Sequence, residues 1–427
     1  MLDPGTAHQE LMADKIVLAF SGRGANSAIQ GMIEEYTSPL QDLGLPVVNV
    51  AMEPAELRYA VEQIVGGKVA FALTWLGIGQ NLPVTVGSER SQTNVWETFR
   101  VPLLKLHGDS PAYFVDRHSD EPRNSVNLYA AAEFVHFRRR WLRQAKSLTA
   151  VVPPMPLAPI DRTKIDISTR RKGKLVFLKN GNSPTQLRQL WRDRLPRSVA
   201  TLVENMADDI VTVGLRPGVL HIGDLVATFL DARGIEPEST GDLMLFFTAQ
   251  IDDYLRRVKS QMIAEAILDL PVVVQGNLWD HVDFRGRRAK LVEGQDFDSS
   301  RQTFSDQLGI IDMSPNLDSG PHERVMRGAG SYASVLTNRQ GWLTEAFGEF
   351  EDLTFEFDPD SIRARASEAI SNPDRFLDLG VAFGDRFREV YTRQAYANCI
   401  VDLAELASLQ CSAEKPVIQP FFIWPGS

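Results

Sequence analysis

Residues 310–338 read IIDMSPNLDSGPHERVMRGAGSYASVLTN, and the fold is decided there. A short apolar run (Ile310, Ile311, Met313) ends in Ser314-Pro315-Asn316, and a loop of Asp, Ser, Gly and Pro follows. His322-Glu323-Arg324 then opens a segment with helical spacing that gives way to Val335-Leu336-Thr337. That is strand, loop, helix, strand, with a dense cluster of ionisable groups at the loop-to-helix junction. A helix start presents free backbone N–H groups and the positive end of the helix dipole, and with a histidine and an arginine beside it suits a phosphate or diphosphate. Glu323 can accept from ribose hydroxyls while His322 and Arg324 face the diphosphate. The plainer alternative is an ordinary helix start, with Glu323 favouring the dipole and Arg324 in a surface pair. Gly320-Pro321 forces the turn between apolar strands, which favours the chemical reading.

Working outward, the same alternation recurs. Lys15 to Phe20 reads as a buried strand that meets Ser21-Gly22-Arg23-Gly24 before helical spacing at Ile29, Met32, Ile33 and Tyr36, and Val47 to Val50 reads as the next strand. A helix near Pro54 to Val65 and strands at Val69 to Leu73 and Pro102 to Leu106 continue it. The fold class is therefore α/β, with parallel sheets whose ligand sites lie beyond the carboxyl ends of the strands. Residues 151–159, VVPPMPLAP, cannot hold regular structure and suit a stiff linker. The expected division is a Rossmann-like domain over 1–160 and a second over 161–427. In the second, Lys174 to Leu178 and Pro271 to Val274 are strands, and about 186–268 is a helical insertion.

Other strand ends carry candidate groups. Gly22-x-Gly24-x-x-Ser27 is close to a dinucleotide fingerprint, but Ser27 replaces the third glycine and the acidic residue after the second strand is a loosely placed Glu53. A tight strand-to-helix turn explains the glycines equally well. His107-Gly108-Asp109 can supply a general base oriented by a carboxylate, or can be a turn ahead of Pro111. Lys179-Asn180-Gly181 offers a cation and a sharp turn to a phosphate, against an ordinary Asn-Gly turn with a solvated lysine. Gln275-Gly276-Asn277 closes another strand in the same half. Asp116 and His118 follow His107 closely but make no recognised ligand spacing, so no metal is expected.

A net charge of −10 argues against a nucleic-acid partner held by the overall field. The runs Arg138-Arg139-Arg140 with Arg143 and Arg170-Arg171-Lys172 with Lys174 read as solvated faces. Cys399 and Cys411 make no metal spacing and imply a reduced compartment; with no signal-peptide pattern and no apolar run long enough to span a membrane, the expected location is cytoplasmic.

From about Leu308 to Leu409 the chain resembles the C-terminal domain of GT-B glycosyltransferases, most closely the CgeB-like (spore-maturation-protein-like) group. The resemblance lies in Ser314-Pro315-Asn316, His322-Glu323-Arg324-Val325, Val335-Leu336-Thr337-Asn338 and Leu343-Thr344-Glu345-Ala346-Phe347. It implies two Rossmann-like domains facing a cleft, an acceptor held by the first and a nucleotide-sugar donor by the second. Donor contacts would fall to Lys179, Asn180, Gly181, Gly276, His322, Glu323 and Arg324, with Gly22, Gly24, His107 and Asp109 across the cleft. His107 or Asp109 would be the base or acceptor contact, and no cofactor beyond the nucleoside-diphosphate sugar co-substrate is implied. The residue eight before Glu323 is Pro315, where the wider retaining group has a second glutamate, and Tyr332 stands where glycine is common. Two other classes stay open: a nicotinamide- or flavin-dependent oxidoreductase using Gly22-Arg23-Gly24, and a non-catalytic interaction protein on a GT-B scaffold. The donor sugar, the acceptor and the oligomeric state are left unassigned.

Overall fold

A computed structural model describes residues 14–22, 27–86, 91–142, 147–216 and 221–412. The chain divides into two compact units, residues 1–153 with 392–427, and residues 154–391. Each is built on a six-stranded sheet in which every pairing is parallel.

In the first unit the sheet strands are β1 (Ile16–Phe20), β2 (Val47–Val50), β3 (Val69–Trp75), β6 (Leu103–His107), β7 (Ser125–Tyr129) and β8 (Leu148–Val151), in the order β2-β1-β3-β6-β7-β8. A small antiparallel hairpin, β4 (Pro83–Val86) and β5 (Ser91–Asn94), is inserted after β3. The apolar run of β1 lies inside the sheet, and Val17, Leu18, Ala19 and Phe20 are all buried. The helix Arg393–Ser412 belongs to this unit, although the sequence reading kept all of 161–427 together. Its buried residues Tyr396, Ile400, Leu403 and Ala407 fall three or four apart and form one face. That face meets the helix Ser27–Asp42, with Tyr396 packing on Tyr36 and Arg393 Nη2 pairing with Asp42 at 2.8 Å.

The second unit holds β9 (Leu175–Leu178), β10 (Val273–Gln275), β11 (Lys290–Val292), β12 (Gly309–Ile311), β13 (Val335–Asn338) and β14 (Thr354–Phe355), in the order β11-β10-β9-β12-β13-β14. Counted within the unit this is 3-2-1-4-5-6, a doubly wound arrangement whose crevice lies where β9 and β12 meet and the winding reverses. The helices Pro184–Arg194, Arg197–Gly214, Ile222–Asp231 and Asp242–Ala266 fill the region read as a helical insertion. Residues 154–160 form no regular element, as their prolines require, yet they are not loose. Met155 and Leu157 are buried, Leu157 N donates to Met326 O at 3.1 Å, and Ile160 N donates to Gly330 O at 3.0 Å. A Cβ on Gly330 would lie 1.8 Å from Leu157 O, so only glycine lets the segment lie on the helix Glu323–Ser331.

The two arginine runs are not simply solvated faces. Arg138 is buried among carboxylate and hydroxyl acceptors. Arg170 is buried, donating to the carbonyls of Ser305 at 2.8 Å, Tyr332 at 2.6 Å and Ser331 at 2.7 Å. A guanidinium with fixed, forked donors can satisfy several carbonyls that a helix end leaves unpaired.

Candidate functional site

The site is built around a residue that the sequence reading passed over. Asp312 directly follows β12 and is wholly buried. Its Oδ1 accepts from His322 Nδ1 at 2.8 Å and from Arg324 Nη1 at 3.2 Å, and its Oδ2 accepts from Thr337 Oγ1 at 3.4 Å. Burial alone would raise the carboxyl, but His322 and Arg324 outweigh it and hold it down at about 2. An ionised carboxylate only accepts, so Nδ1 of His322 carries the proton and Nε2 is the nitrogen left for a ligand. His322 and Arg324 each keep about a fifth of the side chain exposed, at 17% and 20%. They are anchored at one end and reachable at the other.

His322 is also the residue that precedes the helix Glu323–Ser331, and it makes no side-chain cap to the first turn. The first N–H groups of that turn, those ahead of Val325, therefore stand beside an imidazole and a guanidinium. Glu323 is the first helical residue. Its Oε2 is buried and accepts no hydrogen bond, with Arg327 Nε at 3.8 Å and Arg324 Nε at 3.9 Å from its two oxygens. A buried carboxylate oxygen without a donor is an open position for a hydroxyl.

At the other end of the helix, Tyr332 takes a left-handed φ of 55° where glycine would be unstrained. Its carbonyl is held by Arg170 and its ring lies 4.3 Å beneath the Arg388 guanidinium. Neighbours thus fix a backbone conformation that the residue itself disfavours.

The loop beginning at Lys179 leaves β9, which pairs with β12 through Phe177 and Ile311, so Lys179 and Asp312 begin neighbouring loops. Lys179 is half-buried. The residues beside it mainly stitch two loops together. Asn180 Oδ1 accepts from Asn277 N at 2.9 Å, Gly181 N donates to Asn277 O at 2.8 Å, and Trp279 Nε1 donates to Lys179 O at 2.9 Å. A Cβ on Gly276 would sit 2.0 Å from Lys179 O, and one on Gly181 would sit 2.2 Å from the Trp279 ring. The glycines are therefore demanded by close backbone and ring packing. Trp279, the residue that closes this junction, carries no spacing signal in the sequence.

In the first unit the structure corrects the reading of His107. It is 4% exposed, its ring packs against those of His118 and Tyr129, and Nε2 meets Asn127 Oδ1 at 2.8 Å. Asn127 Nδ2 donates to Glu121 Oε2 at 2.9 Å and Ser147 Oγ at 2.7 Å, which fixes its oxygen toward the histidine and makes Nε2 the donor. Burial and the nearby His118 push His107 well below the ordinary range, so it stays neutral inside a core network. A general base must reach a substrate proton, and this ring does not. Asp109 is half-buried in the loop after β6.

The network continues through Glu121, which accepts from Lys105 Nζ and Arg138 Nη2 at 2.5 Å each. Burial would raise the Glu121 carboxyl, and the two cations hold it at about 2 instead. Lys105 donates also to Gln80 Oε1 at 3.3 Å and Arg117 O at 2.9 Å, so all three ammonium protons have acceptors. The cluster is structural: its charges are matched within the core, although Arg138 Nε and His118 Nδ1 make no hydrogen bond among the described residues. Ile29 and Ile78 pack over Gly22, while Gly24 lies outside the described residues. Among the described residues, no group of three or more His, Cys, Asp or Glu is placed to hold a metal, and no helix is long and apolar enough to cross a membrane.

No protein-family model matches the chain, and no curated protein is similar to it in sequence. Solved structures with a similar chain trace include sucrose-phosphate synthase from Thermosynechococcus elongatus, at 10% identity over 93% of this chain and 100% of that one, with a TM-score of 0.45. A glycosyltransferase from Rickettsia africae matches at 9% identity, 92% and 99% coverage and a TM-score of 0.46. T4 phage BGT in complex with UDP-glucose matches at 7% identity, 91% and 100% coverage and a TM-score of 0.47. At these identities and TM-scores the likeness assigns neither family nor activity.

Proposed function

We propose that the protein is a glycosyltransferase that moves a sugar from a nucleoside-diphosphate donor to an acceptor, with the donor held by the second unit. One observation carries this reading. An ionised, buried Asp312 fixes His322 and Arg324 beside the free N–H groups of a helix start, at the strand crossing where a doubly wound sheet takes its ligands. Two cationic side chains, Arg324 and Lys179, would offset the charge that develops on the departing diphosphate, with the His322 imidazole beside them. Glu323 Oε2, which lacks a donor, would accept from the ribose hydroxyls.

The finer assignments rest on the sequence resemblance alone. They are membership of the CgeB-like group, a hexosyl or related transfer and an acceptor held by the first unit; metal independence and a cytoplasmic location rest on the ligand spacing, cysteine usage and hydropathy of the sequence. No residue of the first unit is proposed as the base, since His107 is enclosed.

The test is a thermal-shift panel of nucleoside diphosphates and their sugars, followed by hydrolysis assays on any sugar nucleotide that binds. Ligand binding to the native state raises its stability by mass action. At least one nucleoside diphosphate should raise the melting temperature in parent protein and not in His322→Ala. If no member of the panel shifts it, the donor-site reading is wrong.

A further inference from the structure

A second candidate site lies in the same unit, and none of Asp312, His322, Glu323 or Arg324 lines it. It is a pocket of about 450 Å³, open mouth included, beyond the carboxyl ends of β12, β13 and β14. Its buried wall is Lys259, from the long helix Asp242–Ala266. A lysine that is 6% exposed needs partners for three donors. The hydrogen bond that Lys259 Nζ makes runs to Asn316 Oδ1, at 2.8 Å, and its other contact is the face of Phe357, 4.5 Å to the ring centre.

The neighbouring carboxylates do not close the gap. Asn316 Nδ2 donates to Asp252 Oδ1 at 2.8 Å, which turns the Asn316 oxygen toward the lysine, and Asp252 Oδ2 is 2.8 Å from Arg256 Nε. Asp318 Oδ1 accepts from Gly341 N at 2.8 Å. Asn316 itself holds a left-handed φ of 53°, so the lysine's partner is set by the loop that follows β12. The result is a buried ammonium whose direct hydrogen-bond partner is a neutral amide. A second cation, Arg216, stands exposed at the mouth, and Phe355 and Phe357 give the pocket apolar walls.

We propose that this pocket binds the oxyanion head, phosphoryl or carboxylate, of a small ligand. Lys259 is its buried cation, Arg216 its outer one, and the two phenylalanines line the ligand's body. A buried ammonium with one hydrogen bond to a neutral amide and an exposed guanidinium, in a concave site with apolar walls, have the chemistry that such a ligand completes. Burial lowers Lys259 to about 8 against the pull of Asp252 and Asp318, which makes the amine chemically addressable near that pH.

The test uses the full-length parent protein and pyridoxal 5′-phosphate, which carries both a phosphate and an aldehyde. The amine of Lys259 attacks the aldehyde carbon, a C=N bond forms and water leaves; borohydride then delivers hydride to the imine carbon, leaving a stable secondary amine. Peptide mapping should find Lys259 modified several-fold ahead of the exposed Lys68 and Lys172. Excess inorganic phosphate should suppress that labelling, and sodium chloride at equal ionic strength should not. Suppression by acetate as well as phosphate assigns a carboxylate-tolerant site, and suppression by phosphate alone assigns a phosphoryl site. Labelling of Lys259 no faster than of Lys68 and Lys172, or protection by chloride equal to that by phosphate, overturns the proposal. Glu323→Ala should label as the parent does, so the outcome is independent of the donor site.

Discussion

Replacing Asp312 by asparagine perturbs the donor site at its anchor. The side chain keeps its shape and one acceptor oxygen but loses the charge that holds His322 Nδ1 at 2.8 Å and Arg324 Nη1 at 3.2 Å. Two routes give the size of the effect. The carboxyl is depressed from 3.8 to about 2, and at about 1.4 kcal/mol per pKa unit that difference corresponds to about 2–3 kcal/mol. Independently, hydrogen bonds to charged groups contribute about 1.5–3 kcal/mol. Because the folded pKa is the lower one, this stability is fully present above 3.8 and is lost as the pH falls through about 2, so neutral pH shows all of it. In a domain of about 150–250 residues each kcal/mol moves Tm by about 2–4 °C, so Asp312→Asn should lower the melting temperature of the second unit by about 5–10 °C. Calorimetric scanning reads this directly. With a neutral and weaker acceptor in place of the carboxylate, His322 and Arg324 are held less firmly, and isothermal titration should show nucleoside-diphosphate affinity reduced about tenfold or more. A variant melting within about 1 °C of the parent, with unchanged affinity, would refute the anchoring role.

Glu323→Ala should weaken nucleoside-diphosphate binding by about 1–1.5 kcal/mol in calorimetry with little change in Tm, because Oε2 makes no hydrogen bond in the protein; unchanged affinity would remove the ribose assignment. Gly276→Ala, whose Cβ would meet Lys179 O at 2.0 Å, should cost about 1–3 kcal/mol or more in urea unfolding by overpacking, and a neutral result would mean that the two loops can separate. His107 and His118 are buried neutral with pKa values well below 6.5. The unfolded chain therefore takes up protons first, and stability of the first unit should fall as pH drops below 6.5, at up to about 1.4 kcal/mol per pH unit for each histidine. His107→Gln, which can still donate to Asn127, should flatten that slope, and a slope equal to the parent's would show that His107 does not contribute.

The apolar runs that became β1, β3, β9 and β12 are legible because burial on both faces of a parallel sheet leaves little but aliphatic side chains. Strand β7 is not legible, because Ser125 and Asn127 interrupt it and Asn127 belongs to the polar network around Glu121. The place of the helix Arg393–Ser412 in the first unit has no local signal either, since its apolar face would serve any neighbour equally well. At the site, His322 to Arg324 can be found from the helix start they open. Asp312 can be seen only as a carboxylate at the end of an apolar strand, and its pairing with a histidine ten residues later depends on how the intervening loop returns. Arg170 and Arg138 show the opposite failure: an arginine run looks solvated until the carbonyls and carboxylates that receive it are in place.

The two sheets use buried charge in different ways, and this difference locates the chemistry. In the first unit Lys105, Arg138, Asn127 and His107 converge on one another and on Glu121, so the donors and acceptors of the cluster face inward. Such a network specifies packing, and opening it to a ligand would leave Glu121 without its counter-ions. In the second unit Asp312 is equally buried, but its partners His322 and Arg324 are held at one end only and remain partly exposed at the other. A buried carboxylate that holds an imidazole and a guanidinium fixes their positions before an anion arrives, so less ordering remains to be done on binding. That asymmetry also explains why a histidine next to an aspartate in sequence, as in His107-Gly108-Asp109, misleads, whereas one ten residues from its aspartate does not. What matters is which atoms of the ring are left over once the fold has used the rest.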